Sequence, residues 1–473
     1  MSFIQVEFLA FLAVTFTLYW SIPHRRGQNL LLLVTSYVFY GWLDPRLCLL
    51  LGSVTAVNYV AGRAIQRFPT FGGAILACVL AASVANLAWF KYFNWFAGAL
   101  LPLVAPQEVA TGVGLWHVVL PLGLSFYTFH NLAYTIDVYR GRIRVRADAL
   151  DYFLYGSYFP QLVAGPVERP QNVLPQLETD RRFSATQIQS GITLALWGAL
   201  KKLALADTIS PYVNLIFAAD APSFGMVWAG ALGFTVQALA DFSGYTDIAR
   251  GVSRCFGIEL MDNFNHPYLA ATPMEFWQRW HISFSTWLRD YVYLPACFGL
   301  PGQLSPFWTT TRAFFITMMI SGLWHGSTAN FLLWGLYYFV IGTAYTLILA
   351  KLPRRLKKDG RWRWVTVPAM FGLTVFGMHL FREPSVPRFV AHLALNPLVS
   401  TPEQSIVTLA MLGLCVYAAL PLVLALIWER GLAVRLEGSP VLLPLRTTFW
   451  ALCLVAAFAS VPTSAADFIY FQF

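Results

Sequence analysis

The stretch FITMMISGLWHGSTANFLLWG, residues 315–335, places a histidine between two apolar runs. These runs extend outward on both sides, over about 307–323 and 329–350. An apolar helix of about 20 residues crosses a hydrocarbon layer about 30 Å thick. The stretch therefore predicts two membrane helices that meet at a polar break containing His325.

The rest of the chain follows the same apolar pattern. Of its 473 residues 57% are hydrophobic and only 12% are charged, against about 25% charged in soluble domains. Further spans are predicted at 3–20, 29–43, 47–66, 72–97, 113–135, 190–217, 226–242, 364–381, 405–428 and 444–463. We therefore predict an all-α, polytopic integral membrane protein with roughly 11–13 transmembrane or re-entrant helices.

Basic residues cluster between the predicted spans, and the formal net charge is +9. Lys and Arg are retained in cytoplasmic loops, which predicts cytoplasmic loops at 24–26, 63–67, 140–146 and 351–363. The loop at 98–112 has no Lys or Arg and is expected to face outward. We interpret the charge as topology and attraction to anionic lipids, without a nucleic-acid partner. No spare cationic residue is expected within a span.

A single membrane domain, residues 1–473, is the simplest organisation. It divides into N-terminal helices at 1–149, a catalytic core at 150–350 and C-terminal helices at 351–473. The middle is richer in Trp, His, Asn, Asp and Pro, and its apolar runs are broken at short intervals. Irregular backbone at membrane depth is tolerated only where protein buries it or a cavity lies beside it. The six cysteines are scattered without a CxxC pair, so neither a metal site nor a disulfide framework is predicted.

His325 is the first candidate for chemistry. Trp324 precedes it, Gly322 and Gly326 flank it, and the polar Asn330 follows. Histidine is the side chain best suited to proton transfer near neutral pH. A helix-end histidine bonded to a nearby carbonyl is the structural alternative, but the glycines and the polar break favour function.

The segment EFWQRWHISFSTWLRDYVYLP, residues 275–295, is the second candidate. As one helix, it would place His281, Ser285 and Arg289 on one face. Trp280 and Trp287 would share another face, and Asp290 follows the arginine. Such a helix belongs at a membrane interface or at the rim of a funnel, and a purely structural anchor is the alternative.

Asp241 begins the polar stretch DFSGYTD, residues 241–247. Its carboxylate could orient a histidine or bind a cation, but we favour an N-cap for a helix starting near Tyr245. Polar breaks at Pro160-Gln161 and at Asn263 to Pro267 are expected to shape loops or re-entrant turns.

Taken together, these motifs resemble the membrane-bound O-acyltransferase (MBOAT) family, and within it the bacterial AlgI-like branch of alginate O-acetylation proteins. The resemblance preserves order and spacing through essentially the whole chain. It rests on NLLLLVTSYVFYGW at 29–42, PLGLSFYTFH at 121–130, FPQLVAGPVERP at 159–170, DFSGYTDIARGVSRCFGIELMDNFNHPYL at 241–269, the segments 275–295 and 321–335, and FIYFQF at 468–473. One departure is His130, where this branch often carries glutamine.

The resemblance implies helices around a central channel or funnel, with His325 as the invariant histidine and His281 at the second histidine position. It also implies an acyl thioester donor such as acetyl-CoA, no bound cofactor and no metal. Acetyl groups would cross the bacterial cytoplasmic (inner) membrane, and an extracytoplasmic SGNH-like acetyltransferase partner would pass them to a polysaccharide such as alginate.

We expect neutral His325 to deprotonate an acceptor hydroxyl or to carry the acetyl group. His281 would position or polarise the thioester, and Arg289 or Asp290 would orient the donor. The other channel or donor-side candidates are Trp324, Asn330, Trp280, Ser285, Asp241 and Gln161. Span counting places His325 toward the outer half of the membrane and the 275–295 segment nearer the cytoplasm. Peptidoglycan, teichoic acid or a small molecule is an alternative acceptor, and a transporter or channel without chemistry is the alternative from another class.

Overall fold

The computed structural model describes residues 1–42, 44–104, 118–163, 165–299, 305–351 and 360–428, together with residues 448, 451 and 455. Every regular element in these ranges is helical, which confirms the predicted all-α class. Of the described helices, five are long and apolar enough to cross a membrane. They are Leu47–Arg67, Pro69–Ala97, Ala329–Ile348, Arg363–Arg382 and Pro402–Ile427, and they confirm the spans predicted at 47–66, 72–97, 329–350, 364–381 and 405–428.

Contacts divide the chain into two compact units, which are described separately. The first unit comprises residues 1–195 and 249–261. Its helices are Val6–Ser21, Arg25–Gly41, Leu47–Arg67, Gly72–Val104, Leu124–Tyr139, Ala149–Ser157, Phe159–Leu162, Pro170–Glu178 and most of Ala185–Ala199. Its interior contains a buried cluster in which Asp151 accepts hydrogen bonds from Arg25 at 2.8 Å and from Asn29 at 2.7 Å.

The second unit comprises residues 196–248 and 262–473. Its helices are Asp207–Ala218, most of Phe224–Cys255, Pro273–Trp277, Ile282–Leu288, Leu294–Phe298, Pro306–His325, Ala329–Lys351, Arg363–Arg382, Val386–Leu393 and Pro402–Ile427. Two π-helical turns, Leu200–Ala206 and Arg289–Tyr293, connect some of them. Local chemistry fixes several starts: proline occupies the first turn of five of these helices, where its missing N–H costs nothing. Thr272 caps Pro273–Trp277 by accepting from the Glu275 amide at 3.0 Å.

Several span boundaries differ from the prediction. The run 190–217 is not one helix, because a π-helical turn at Leu200–Ala206 interrupts it. The run at 113–135 begins its helix only at Leu124 in the described part, and 226–242 lies inside the 32-residue helix Phe224–Cys255. Residues 98–104 of the predicted outward loop continue the helix Gly72–Val104. The remainder of that loop, most of the run at 444–463 and the motif at 468–473 lie outside the described residues.

Candidate active site

His325 is the last residue of the helix Pro306–His325, which packs against Ala329–Lys351. Two glycines allow their backbones to approach closely. A Cβ at Gly322 would lie 2.4 Å from the Phe331 carbonyl oxygen, and one at Gly335 would lie 2.4 Å from that of Met318. The hairpin therefore holds His325, 7% exposed, at a fixed position beside the neighbouring helix.

Aromatic rings surround the His325 imidazole. The Trp334 and Phe381 rings meet it edge to face, with centroids 4.9 and 5.0 Å away and interplanar angles of 81° and 80°. Further ring neighbours are Trp324 at 4.7 Å and Phe284 and Phe331, each at 6.3 Å. We call these five rings the His325 cage. Edge-to-face packing of this kind is favourable and directional, so the cage restricts the orientation of the imidazole.

Asn330 holds part of this cage in place. It is buried, and its side-chain amide donates to the carbonyl oxygens of Leu380 at 3.3 Å and Phe381 at 3.1 Å. Its amide oxygen accepts from the Thr328 hydroxyl. Asn330 thus ties the end of Arg363–Arg382 to the start of Ala329–Lys351. The sequence suggested a channel residue, whereas these bonds position the Phe381 ring beside His325.

The prediction of one continuous helix over 275–295 is wrong. Pro273–Trp277 ends before His281, whose φ of 43° and ψ of 53° are left-handed, and a new helix starts at Ile282. A non-glycine residue pays a steric cost in this conformation, and a helix cannot pass through it. The predicted shared face of His281, Ser285 and Arg289 does not form, because His281 precedes the helix Ile282–Leu288 and Arg289 begins the π-helical turn that follows it.

The structure brings His281 and His325 to the same cluster of rings. The His281 imidazole contacts Phe242 at 4.6 Å, Phe284 at 5.0 Å and Trp324 at 6.1 Å. Phe284 and Trp324 also belong to the His325 cage and lie 4.2 Å apart. The two histidines are therefore neighbours in one unit.

Asn263 is a site residue that sequence reasoning missed. Its amide oxygen lies 3.0 Å from Nδ1 of His281 and also accepts from the Ser283 hydroxyl at 2.9 Å. Its own amide donates to the Thr246 hydroxyl at 3.4 Å. The sequence interpretation assigned the break at Asn263 to Pro267 only to loop shape. Asn263 precedes His281 by 18 positions, and no pattern in the sequence connects the two residues.

Asp241 does not cap a helix, because it lies within the continuous helix Phe224–Cys255. Its carboxylate contacts the Lys202 ammonium at 2.7 Å, and Asp207 contacts the same ammonium at 2.7 Å. All three side chains are 4% exposed or less. Lys202 lies in the run predicted as a span at 190–217, but both carboxylates pair with it, so it is not a spare cationic residue. Asp241 immediately precedes Phe242 and so lies beside the His281 contact.

The remaining candidates have separate surroundings. Trp280, predicted at an interface or rim, is buried and stacks on Phe276 at 5.8 Å with an interplanar angle of 12°. The Ser285 hydroxyl donates to the Trp280 carbonyl at 3.0 Å. Arg289 pairs with Asp290 at 2.8 Å.

Gln161 belongs to the first unit. Its amide donates to the Tyr155 carbonyl at 2.6 Å, and its side chain is fully buried there. Its local role is thus to connect the short helix Phe159–Leu162 to the end of Ala149–Ser157.

Comparisons with known proteins identify relatives of this chain. The family model for membrane-bound O-acyltransferases matches residues 115–380. The probable alginate O-acetylase AlgI of Pseudomonas aeruginosa is 37% identical over 398 residues, which cover 81% of this chain and 72% of that protein. The Azotobacter vinelandii protein of the same description is 36% identical over 79% of this chain and 74% of its own length. The peptidoglycan O-acetyltransferase of Helicobacter pylori is 31% identical over 76% of this chain and 72% of its own length.

Proposed function

The chain belongs to the membrane-bound O-acyltransferase family, and from that premise we propose that it moves an acetyl group from a cytoplasmic thioester donor across the membrane for O-acetylation of an extracytoplasmic polysaccharide. It is a multi-pass membrane O-acyltransferase whose relatives are bacterial and AlgI-like. In this proposal the transferred group is acetyl, the donor is acetyl-CoA or another acyl thioester, and the acceptor is alginate or another exopolysaccharide. We place it in the bacterial cytoplasmic membrane, together with an extracytoplasmic SGNH-like acetyltransferase partner.

The observation that supports this proposal most is the convergence of two buried histidines on one ring. His281 and His325 both contact Phe284, and aromatic side chains enclose His325. Acyl transfer from a thioester to a hydroxyl needs a group that removes the hydroxyl proton or carries the acyl group. In this proposal His325 does one or the other, and the cage holds its imidazole in line with the reacting atoms.

The proposed steps conserve atoms and charge. In the direct route, His325 takes the hydroxyl proton while the oxygen attacks the thioester carbonyl, the C–S bond breaks, and the proton passes to the leaving sulfur. In the relay route, the imidazole attacks the thioester carbonyl, the C–S bond breaks, and the imidazole N–H proton passes to the leaving sulfur, which gives an acetyl-imidazole and a free thiol. The acceptor oxygen then takes the acetyl group and its proton returns to the histidine. Both routes require His325.

The test uses the full-length protein purified in lipid and supplied with labelled acetyl-CoA. His325→Ala is expected to reduce thioester consumption by about 10²- to 10⁴-fold, the usual contribution of a positioned acid–base group. His130→Gln is the matched control: His130 is also fully buried, but it lies in the first unit against the Pro166 carbonyl at 3.3 Å. It should keep normal turnover. Turnover by folded His325→Ala at the wild-type rate would refute the catalytic assignment, and an intact thioester with wild-type protein would favour a transporter.

Peptidoglycan is the second candidate acceptor, because the Helicobacter pylori relative with that description is 31% identical over most of the chain. Mass spectrometry of cell-surface glycans from cells with and without the protein separates the two. Acetyl groups lost from an exopolysaccharide support the first proposal, whereas acetyl groups lost from peptidoglycan sugars support the second.

A further inference from the structure

Two short backbone segments are joined around Asn263 in the second unit. The amide of Asn265 donates to the Arg279 carbonyl at 2.9 Å, and the amide of Ile282 donates to the Asn263 carbonyl at 2.9 Å. These bonds hold residues 263–265 alongside 279–282. They fix the Asn263 side chain, 1% exposed, against the left-handed turn at His281.

The hydrogen-bond partners of Asn263 determine which of its side-chain atoms faces His281. The backbone N–H of Ser283 approaches the side-chain Oδ1 at 3.2 Å, and a backbone N–H can only donate. The atom that receives it must therefore be the amide oxygen, not the nitrogen. The same oxygen lies 3.0 Å from Nδ1 of His281, so Nδ1 must carry a proton to make that bond.

A neutral imidazole has only one N–H. Burial lowers the pKa of His281 to about 3, so the ring is neutral at physiological pH. With its proton on Nδ1, its other nitrogen, Nε2, presents a lone pair. The left-handed backbone at His281 (φ 43°) is also held by its surroundings, since such strain persists only where they determine the conformation.

We propose that Asn263 is a positioning residue that locks His281 in the Nδ1-protonated tautomer, so that Nε2 acts in acyl transfer as a hydrogen-bond acceptor. This inference rests on the proposed function. It changes the role expected for His281: a lone pair cannot donate to the thioester carbonyl oxygen, so His281 does not polarise the thioester. Nε2 instead accepts from an O–H or N–H of a substrate and orients that group beside His325.

The first test compares variants of the full-length protein in lipid with labelled acetyl-CoA. Asn263→Ala frees the tautomer and should lower kcat about tenfold, as expected for loss of one net hydrogen bond, with little change in KM. Ser283→Ala removes a different donor to the same amide oxygen while leaving the Nδ1 bond, and its loss should be clearly smaller. Equal losses in the two variants would show a merely structural network and overturn the proposal.

The second test replaces His281 by Nδ1-methylhistidine in the Asn263→Ala background. The methyl group occupies the space of the lost amide and makes Nε2 an obligatory acceptor in the neutral ring. Recovery of kcat toward the wild-type value is expected. No recovery in a folded, membrane-inserted protein, with His281→Ala equally inactive, would mean that Nε2 has to donate, and the proposal fails.

The third measurement needs no variant at Asn263. Nitrogen NMR of histidine-labelled wild-type protein, assigned with His281→Gln, should show a protonated Nδ1 and a lone-pair nitrogen at Nε2. The reverse pattern overturns the proposal even if Asn263→Ala does not fold. Wild-type protein that consumes no thioester would contradict the proposed function, whereas active wild type with the reverse tautomer contradicts only the role of Asn263.

Discussion

Buried polar groups are treated differently in two regions of this molecule. In the first unit, Asp151 is 2% exposed and receives charged and neutral hydrogen bonds from Arg25 and Asn29. In the second unit, His325 is 7% exposed, and five aromatic rings surround it. Buried charges are normally paired, so the first arrangement stabilises the fold. Aromatic rings restrict the orientation of an imidazole through directional packing, and this fits the role proposed for His325.

The second unit contains both kinds of burial side by side. Lys202 lies between Asp207 and Asp241 at 2.7 Å from each, and the next residue, Phe242, contacts His281 at 4.6 Å. The helix Phe224–Cys255 thus carries, at consecutive positions, the ion-paired carboxylate of Asp241 and the ring of Phe242 that contacts His281. The charge cluster and the histidine site are both buried, and they differ in the side chains that surround them.

The largest expected effect on stability lies in the first unit. Asp151→Ala removes the partner of Arg25 and Asn29 and should cost about 3 kcal/mol, the lower end for breaking a buried ion pair, because Arg25 is 24% exposed. Thermal unfolding in detergent measures this change. Because the Asp151 cluster stabilises the fold and takes no part in the proposed chemistry, the protein that remains folded should keep its specific activity.

Asp148→Ala is the control for that prediction. Asp148 also pairs with an arginine, Arg26 at 3.3 Å, but their side chains are 34% and 71% exposed. Asp148 also caps the helix Ala149–Ser157 by accepting from the Leu150 amide at 2.9 Å, so its loss should cost about 1 kcal/mol, clearly less than that of Asp151. A folded Asp151→Ala protein with reduced kcat would break the comparison, because the charged cluster would then contribute to chemistry.

A smaller effect is expected from the His325 cage. Phe381→Leu removes the ring that lies 5.0 Å from His325 and should lower kcat by up to about tenfold, the value of one directional ring contact. The unfolding temperature should change less than in Asp151→Ala. The thioester assay provides the rate, and a melting curve in the same detergent provides the stability.

Phe376→Leu is the matched control on the same helix. Phe376 stacks on Tyr337 at 5.2 Å and contacts Phe389 at 5.7 Å, and neither ring belongs to the His325 cage. Its kcat should stay near the wild-type value. Equal kcat losses in the two variants would mean that the cage acts through general packing rather than through His325.

The sequence was sufficient where local patterns decide structure. Long apolar runs predicted the helices Leu47–Arg67, Arg363–Arg382 and Pro402–Ile427 within a few residues. The polar break at His325 predicted that one helix would end and another begin there, and the structure ends one helix at His325 and begins the next at Ala329.

What the sequence could not predict depends on contacts between distant residues. The left-handed break at His281 is unfavourable by itself and forms because Asn263, 18 positions earlier, bonds to Nδ1 and to the following turn. The helical period of 275–295 therefore suggested one helix where there are several. Likewise, Lys202 pairs with Asp241, which lies 39 positions later in the sequence. Neither pairing leaves a local signature.

The smallest expected effect comes from a more exposed charge cluster of the second unit, where Glu275 receives hydrogen bonds from Arg279 at 2.9 Å and Arg363 at 3.1 Å. Burial alone would raise the pKa of Glu275, but the hydrogen bonds, led by that from Arg363, outweigh burial and hold it below 4.5. A lowered folded pKa stabilises the protein above the unfolded pKa, and this stabilisation is lost as pH falls through the folded value. Glu275→Gln should therefore destabilise by less than about 1 kcal/mol at neutral pH, and the difference from wild type should shrink as the pH falls below 4.5. Melting curves of both proteins across this range test it. A constant difference at all pH values would mean that Glu275 acts through its shape and hydrogen bonds, not through its charge.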